Sequence, residues 1–103
     1  ARALAAEGVR LAVVARRREL LETLEKEIGA KLVIIEQDLM AEDAPRRIAD
    51  AALAGLGSVD ILVNNAGGSR KFSLHTEEAQ WQEAMTLNFT RQRQLADRLV
   101  DQM

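Results

Sequence analysis

Cysteine and tyrosine are both absent from these 103 residues, and there is one proline and one histidine. Without cysteine, disulfides and thiolate metal ligands are excluded and a reducing compartment is permitted. No apolar run approaches the roughly 18 residues of a membrane span. Excess positive charge is missing too: the formal net charge is −2, against the basic face that nucleic-acid binders carry. The lone histidine, His75, stands in a polar stretch without a partner in sequence. It supports neither a metal constellation nor a Ser/His/Asp arrangement and reads as a surface residue. The opening Ala1-Arg2-Ala3-Leu4 does not read as a secretory leader. It reads as the end of a helix closing at Glu7-Gly8, so an excerpt of a longer protein is expected. At this length the chain holds at most one small domain.

What is present is organised around Ile61-Leu62-Val63-Asn64-Asn65-Ala66-Gly67-Gly68. Three apolar residues predict a short buried strand, which breaks into two amides and two glycines. A strand ending this way brings hydrogen-bonding side chains and bare backbone to the carboxyl edge of a sheet, where open α/β sheets bind ligands. Upstream, residues 9–15 predict a first strand and residues 31–36 a second. Between them Leu20, Leu21, Leu24 and Ile28 predict one helical face, stopped by Gly29. Asp43 is a candidate N-cap with Pro45 in the first turn. Ile48, Ala52, Leu53 and Leu56 form the buried face that follows, with Gly55 and Gly57 at its close. After a polar segment, residues 69–75, Thr76 is a candidate N-cap. The long last helix is predicted to turn Trp81, Met85, Leu95 and Leu99 inward. Alternating helices and strands mean a parallel sheet covered by helices, and near-continuous apolar strands agree with burial on both faces.

Four places could carry chemistry. Arg16-Arg17-Arg18 stand at a strand end and a helix entrance, where the dipole disfavours cations. They read either as a solvated basic turn or as an anion site gripped in bidentate fashion. Asp38 is either a turn residue or an acceptor for a ligand N–H. Asn64-Asn65-Ala66-Gly67 is either a plain turn or a wall that a flat ligand can approach closely. Asn88 falls on the predicted inward face, where an amide left unpaired costs roughly 1–3 kcal/mol. It either satisfies a backbone group or holds a water in a functional site.

Together these residues resemble the short-chain dehydrogenase/reductase family in its single-domain branch. The resemblance is carried by Gly8 with residues 9–15 and Arg16-Arg17, by Asp38-Leu39, by Asp60 through Gly67, and by Trp81 with Asn88. It covers essentially the whole chain, and Asp60-Ile61-Leu62-Val63-Asn64-Asn65-Ala66-Gly67 is its most specific part. It implies a Rossmann-type, doubly wound parallel α/β sheet, incomplete here. The first strand and glycine-rich turn would precede Ala1, and the C-terminal half would follow Met103. Residues 1–103 are then part of a single dinucleotide-binding domain. Alone they are expected to be neither catalytic nor stably folded, because the absent strand lies between residues 9–15 and 61–63.

The resemblance also assigns roles. Ala15 and Arg16 occupy the cofactor-selecting strand end, the pattern of NADP(H)-dependent members, with NAD(H) the lesser candidate. Arg16, with Arg17, would neutralise the 2′-phosphate. Asp38 would bond the adenine amino group and Leu39 line its pocket, while Asn65, Ala66 and Gly67 would pass beside the ribose and nicotinamide. Asp60 and Asn64 would tie the sheet together. Asn88 would anchor a water in the proton relay, with the catalytic Ser and Tyr-x-x-x-Lys outside the chain. The implied function is hydride transfer between nicotinamide and a carbonyl or alcohol substrate, of the 3-oxoacyl, sugar or steroid ketone class. A cytoplasmic homo-oligomer, dimer or tetramer, is expected, with no nucleic-acid or membrane partner. Two alternatives stand beside it: a non-catalytic dinucleotide sensor or pseudoenzyme on the same fold, and an α/β interaction domain that binds no nucleotide.

Overall fold

A computed structural model describes residues 1–67 and 73–103. Its elements in order are α1 (Arg2–Ala6), β1 (Ala12–Ala15), α2 (Arg18–Ile28), β2 (Val33–Glu36), α3 (Ala44–Leu56), α4 (Glu78–Met85), a π-helical segment (Thr86–Thr90), α5 (Arg91–Leu99) and a 3-10 turn (Val100–Gln102). The two strands run parallel, with Ala12 opposite Val33 and Ala15 opposite Glu36. Both strands are shorter at their amino ends than the apolar runs that predict them.

The period of two along a strand sorts the sheet into two faces. Ala12, Val14, Val33 and Ile35 pack with Ile48, Ala49, Ala52, Leu95 and Leu99 under α3 and α5. The alternate side is covered by α2, which buries Leu21. There the Glu25 carboxylate accepts the Leu32 backbone N–H at 2.8 Å, tying α2 to the approach to β2. Gly29 ends α2 with φ 71°, a left-handed turn that costs glycine little. Leu20, expected on the buried face of α2, is exposed. One helix laid on a two-stranded ribbon covers a stripe too narrow to include it.

Asp43 precedes α3 and Pro45 lies in its first turn, as predicted, but the Asp43 carboxylate caps no backbone N–H. It pairs instead with Arg47 at 2.6 Å and Arg46 at 3.7 Å. Thr76 departs similarly: its hydroxyl donates to the Ser73 carbonyl at 2.8 Å, and Glu77 takes the N-cap position of α4. Gly55 lies within α3 and Gly57 caps it with φ 82°.

Two larger corrections concern the regions nearest the candidate site. Residues 61–63 form no strand, and Ile61 and Val63 are 67% and 63% exposed. Among the described residues no backbone pairs with them. Of residues 59–63, Val59 and Leu62 reach the core. A strand exists by its ladder, and this segment has none alongside it.

The last helix is the second correction. Leu95 and Leu99 are buried, but Trp81 and Met85 are 47% and 53% exposed. Asn88 is exposed too. The π-helical segment explains the offset. Its wider turn takes up one more residue than an α-turn, which rotates the face by about 100° between α4 and α5. A single α-helical period drawn through residues 81–99 therefore puts both halves on one face when they lie on two.

Candidate functional site

The parallel register decides what shares the candidate edge. Because Ala15 lies opposite Glu36, both strands end together, and the Gln37 N–H closes the ladder on the Ala15 carbonyl at 3.0 Å. Arg16 and Arg17 leave β1 and Asp38 leaves β2 at that same edge. Arg18 opens α2 and is paired with Glu22 at 3.2 Å. Arg16 and Arg17 are exposed, and among the described residues neither forms an ion pair. The three arginines are thus divided: one belongs to its helix and two face outward at the edge.

Asp38 builds a tight turn. One oxygen of its carboxylate, Oδ1, accepts the Met40 N–H at 2.9 Å, and its carbonyl accepts the Ala41 N–H at 3.1 Å. Its other carboxylate oxygen has no donor among the described residues. The turn reading and the acceptor reading of Asp38 are therefore compatible, one oxygen each. Leu39 is half-buried against the core, so its side chain anchors the turn.

A second group forms where the segment after residue 63 meets the last helix. The Gln92 amide donates to the Ala66 carbonyl. Gly67 approaches Asn88 so closely that a β-carbon there would lie 2.5 Å from Asn88 Oδ1. The Asn88 amide nitrogen donates to the Ala84 carbonyl at 2.9 Å, one turn back. Asn88 sits in the π-helical segment, a distortion often found at functional sites. Asn65 and Ala66 are exposed. Asp60 and Asn64 are exposed as well and make no side-chain hydrogen bond among the described residues, so the sheet tie assigned to them is not formed here. With residues 61–63 outside the sheet, there is no ladder among the described residues for them to brace. Gly68 and residues 69–72 of the polar segment lie outside the described residues. His75 is exposed, as read from sequence.

What links the two groups is a residue that sequence reading passed over. Arg91 is buried, 9% exposed, and donates through Nε to the Leu39 carbonyl at 2.9 Å and through one terminal nitrogen to the Met40 carbonyl at 3.2 Å. The other terminal nitrogen donates to Gln94 Oε1 at 3.0 Å. Arg91 lies three residues after Asn88, so one stretch of helix touches both the Asp38 turn and the Ala66–Gly67 backbone. The available signal was its spacing: Arg91, Leu95 and Leu99 fall at four-residue intervals on the line that α5 buries.

Comparison with known proteins places this arrangement. The family model for short chain dehydrogenase matches residues 1–103. Nodulation protein G of Rhizobium meliloti (strain 1021) is 33% identical over 104 residues, taking in 100% of this chain and 42% of that protein. The solved structure of a metagenomic short-chain oxidoreductase in complex with NADP aligns with a TM-score of 0.90 at 32% identity, covering 100% of this chain and 49% of that one. That of 7α-hydroxysteroid dehydrogenase, complexed with NADH and 7-oxo glycochenodeoxycholic acid, aligns with a TM-score of 0.85 at 27% identity, covering 91% and 38%. The chain spans less than half the length of each. Its two parallel strands and covering helices are part of a Rossmann-type α/β sheet, and the chain belongs to the short-chain dehydrogenase family.

Proposed function

We propose that residues 1–103 form part of the single dinucleotide-binding domain of an NADP(H)-dependent oxidoreductase. The full-length protein would transfer a hydride between nicotinamide and the carbonyl or alcohol carbon of a 3-oxoacyl, sugar or steroid-type substrate, as a cytoplasmic homo-oligomer. The observation that carries the reading is the strand register, which puts Arg16 and Arg17, neither in an ion pair among the described residues, at the edge where the Asp38 turn begins.

That donor set fits the adenine end of the cofactor. A guanidinium fork matches phosphate oxygens in bidentate fashion and stacks on flat rings, so Arg16 and Arg17 suit a 2′-phosphate where an acid would repel it. The second Asp38 oxygen would accept the adenine amino N–H. Ala66 and Gly67 present backbone with almost no side chain, which admits the ribose and nicotinamide end. When bound, the cofactor supplies or accepts the hydride. Asn88 would hold a water on the proton path to a tyrosine acid outside this segment. Relatives in complex with either NADP or NADH leave the cofactor choice to the chain's own residues, and Arg16 argues for NADP(H).

The test is a titration of the full-length protein with NADPH and NADH. A charge-assisted contact to phosphate contributes about 1.5–3 kcal/mol, so Arg16→Asp should weaken NADPH binding by about 10- to 100-fold and leave NADH binding little changed. Equal losses for both cofactors would count against the reading.

A further inference from the structure

Among the described residues, the cation most thoroughly enclosed is not one of the three at the strand edge. Arg91 is buried, and among the described residues no carboxylate neutralises it. Its partners are the carbonyls of Leu39 and Met40 and the Gln94 side chain. Burying a guanidinium against neutral acceptors is costly, and a hydrophobic residue at this position of α5 would pack against α3 more cheaply. The arrangement makes sense if the shape of the gripped turn is what matters.

That turn is closed at every carbonyl. The Asp38 carbonyl accepts the Ala41 N–H at 3.1 Å and the Gln37 side chain at 3.1 Å. The Leu39 and Met40 carbonyls accept Arg91, and the Ala41 carbonyl accepts the Ala44 N–H at 3.1 Å. All of these contacts are local except the two from Arg91, which come from 52 and 51 residues away. Leu39 and Ala41 anchor the turn by packing on the core, but the local bonds do not tie the Leu39 and Met40 carbonyls to any helix. Arg91 fixes it to α5.

We propose that Arg91 is a positioning residue for the adenine end of the cofactor site. By holding the Leu39 and Met40 carbonyls, it aims the Asp38 carboxylate into the strand edge beside Arg16. This rests on the dinucleotide-binding reading above. Arg91 does not touch the cofactor; it acts through Asp38.

The experiment uses the full-length protein, with NADPH and 2′,5′-ADP (the adenine half alone) as probes. Arg91→Met keeps the length and apolar stem but loses both carbonyl contacts. It should weaken 2′,5′-ADP binding and raise KM for NADPH by about tenfold, while kcat at saturating NADPH stays within twofold. Arg91→Lys, which retains a single donor nitrogen, should recover part of that loss, and it serves as the test if Arg91→Met does not fold. In an Asp38→Ala background either Arg91 substitution should add nothing further, because the group it aims is gone. Unchanged 2′,5′-ADP affinity, a fall in kcat without a rise in KM, or losses that simply add to those of Asp38→Ala would each overturn the proposal. If the unsubstituted protein binds neither NADPH nor NADH, it is the dinucleotide reading that has failed, and the positioning role falls with it.

Discussion

Gly67 and Asn88 are packed so closely that a β-carbon at Gly67 would lie 2.5 Å from Asn88 Oδ1. Gly67 does not need a left-handed backbone, since among the described residues positive φ occurs only at Gly8, Gly29 and Gly57. The pressure against a side chain there therefore comes from the contact. Gly67→Ala should push the Asn88 amide off the Ala84 carbonyl, a bond of 2.9 Å, and destabilise the full-length protein by about 1 kcal/mol. Urea denaturation of Gly67→Ala, Asn88→Ala and the pair should show losses that do not add. Additive losses would mean that the two positions act separately.

The three arginines at the strand edge should separate by function. Arg18 is held by Glu22 on its own helix, so Arg18→Ala should leave NADPH affinity within about twofold, as exposed pairs contribute little. Arg16→Ala and Arg17→Ala should each cost about tenfold if both reach the phosphate. NADPH titrations of the three variants decide it, and an Arg18→Ala loss as large as the others would show the cluster acting as one diffuse charge.

The approach of α3 to β2 depends on a missing side chain. A β-carbon on Gly55 would lie 2.7 Å from both methyls of Val33. Alanine gains about 1 kcal/mol of helix propensity over glycine, whereas overpacking of this kind costs about 1–3 kcal/mol. Gly55→Ala is therefore expected to lower the melting temperature despite the better helix former. Adding Val33→Ala should return part of the loss, as thermal unfolding of the single and double variants can show.

Leu99, at 2% exposure, is the largest side chain wholly enclosed among the described residues. It closes the core between α3 and α5. Leu99→Ala should cost about 2–5 kcal/mol, while Leu20→Ala, on the exposed side of α2, should stay within about 0.5 kcal/mol. Denaturant midpoints of the two variants provide the comparison.

Gln102 serves Val59 as a strand neighbour would. Its Oε1 accepts the Val59 N–H at 3.0 Å and its Nε2 donates to the Val59 carbonyl at 2.8 Å. Gln102→Leu should cost about 1–3 kcal/mol by leaving both groups unpaired in a partly buried place. Gln102→Glu can still accept but not donate when ionised, so it should fall between wild type and Gln102→Leu at neutral pH. Amide hydrogen exchange at Val59 would report the lost bond directly.

Legible in the amino-acid sequence alone were the alternation of helices and strands as far as α3, the glycine stops at Gly29 and Gly57, and the candidate edge residues Arg16, Arg17 and Asp38. These follow from local physics: hydrophobic periodicity, the backbone freedom of glycine, and residue types at strand ends. The family resemblance was legible for a related reason, because residues 60–67 combine an acid, a buried run, two amides and small residues in one unbroken stretch. Other features depend on contacts between distant segments, which local rules do not reach. Residues 61–63 have the composition of a strand but no ladder beside them among the described residues, and pairing is a property of two segments. The π-helical segment around Asn88 broke the single period that would place Trp81 and Met85 inside. Arg91 reads as one more surface charge until α5 docks. Only then do its Nε and terminal nitrogen meet carbonyls about fifty residues away, joining the Asp38 turn to the helix that carries Asn88.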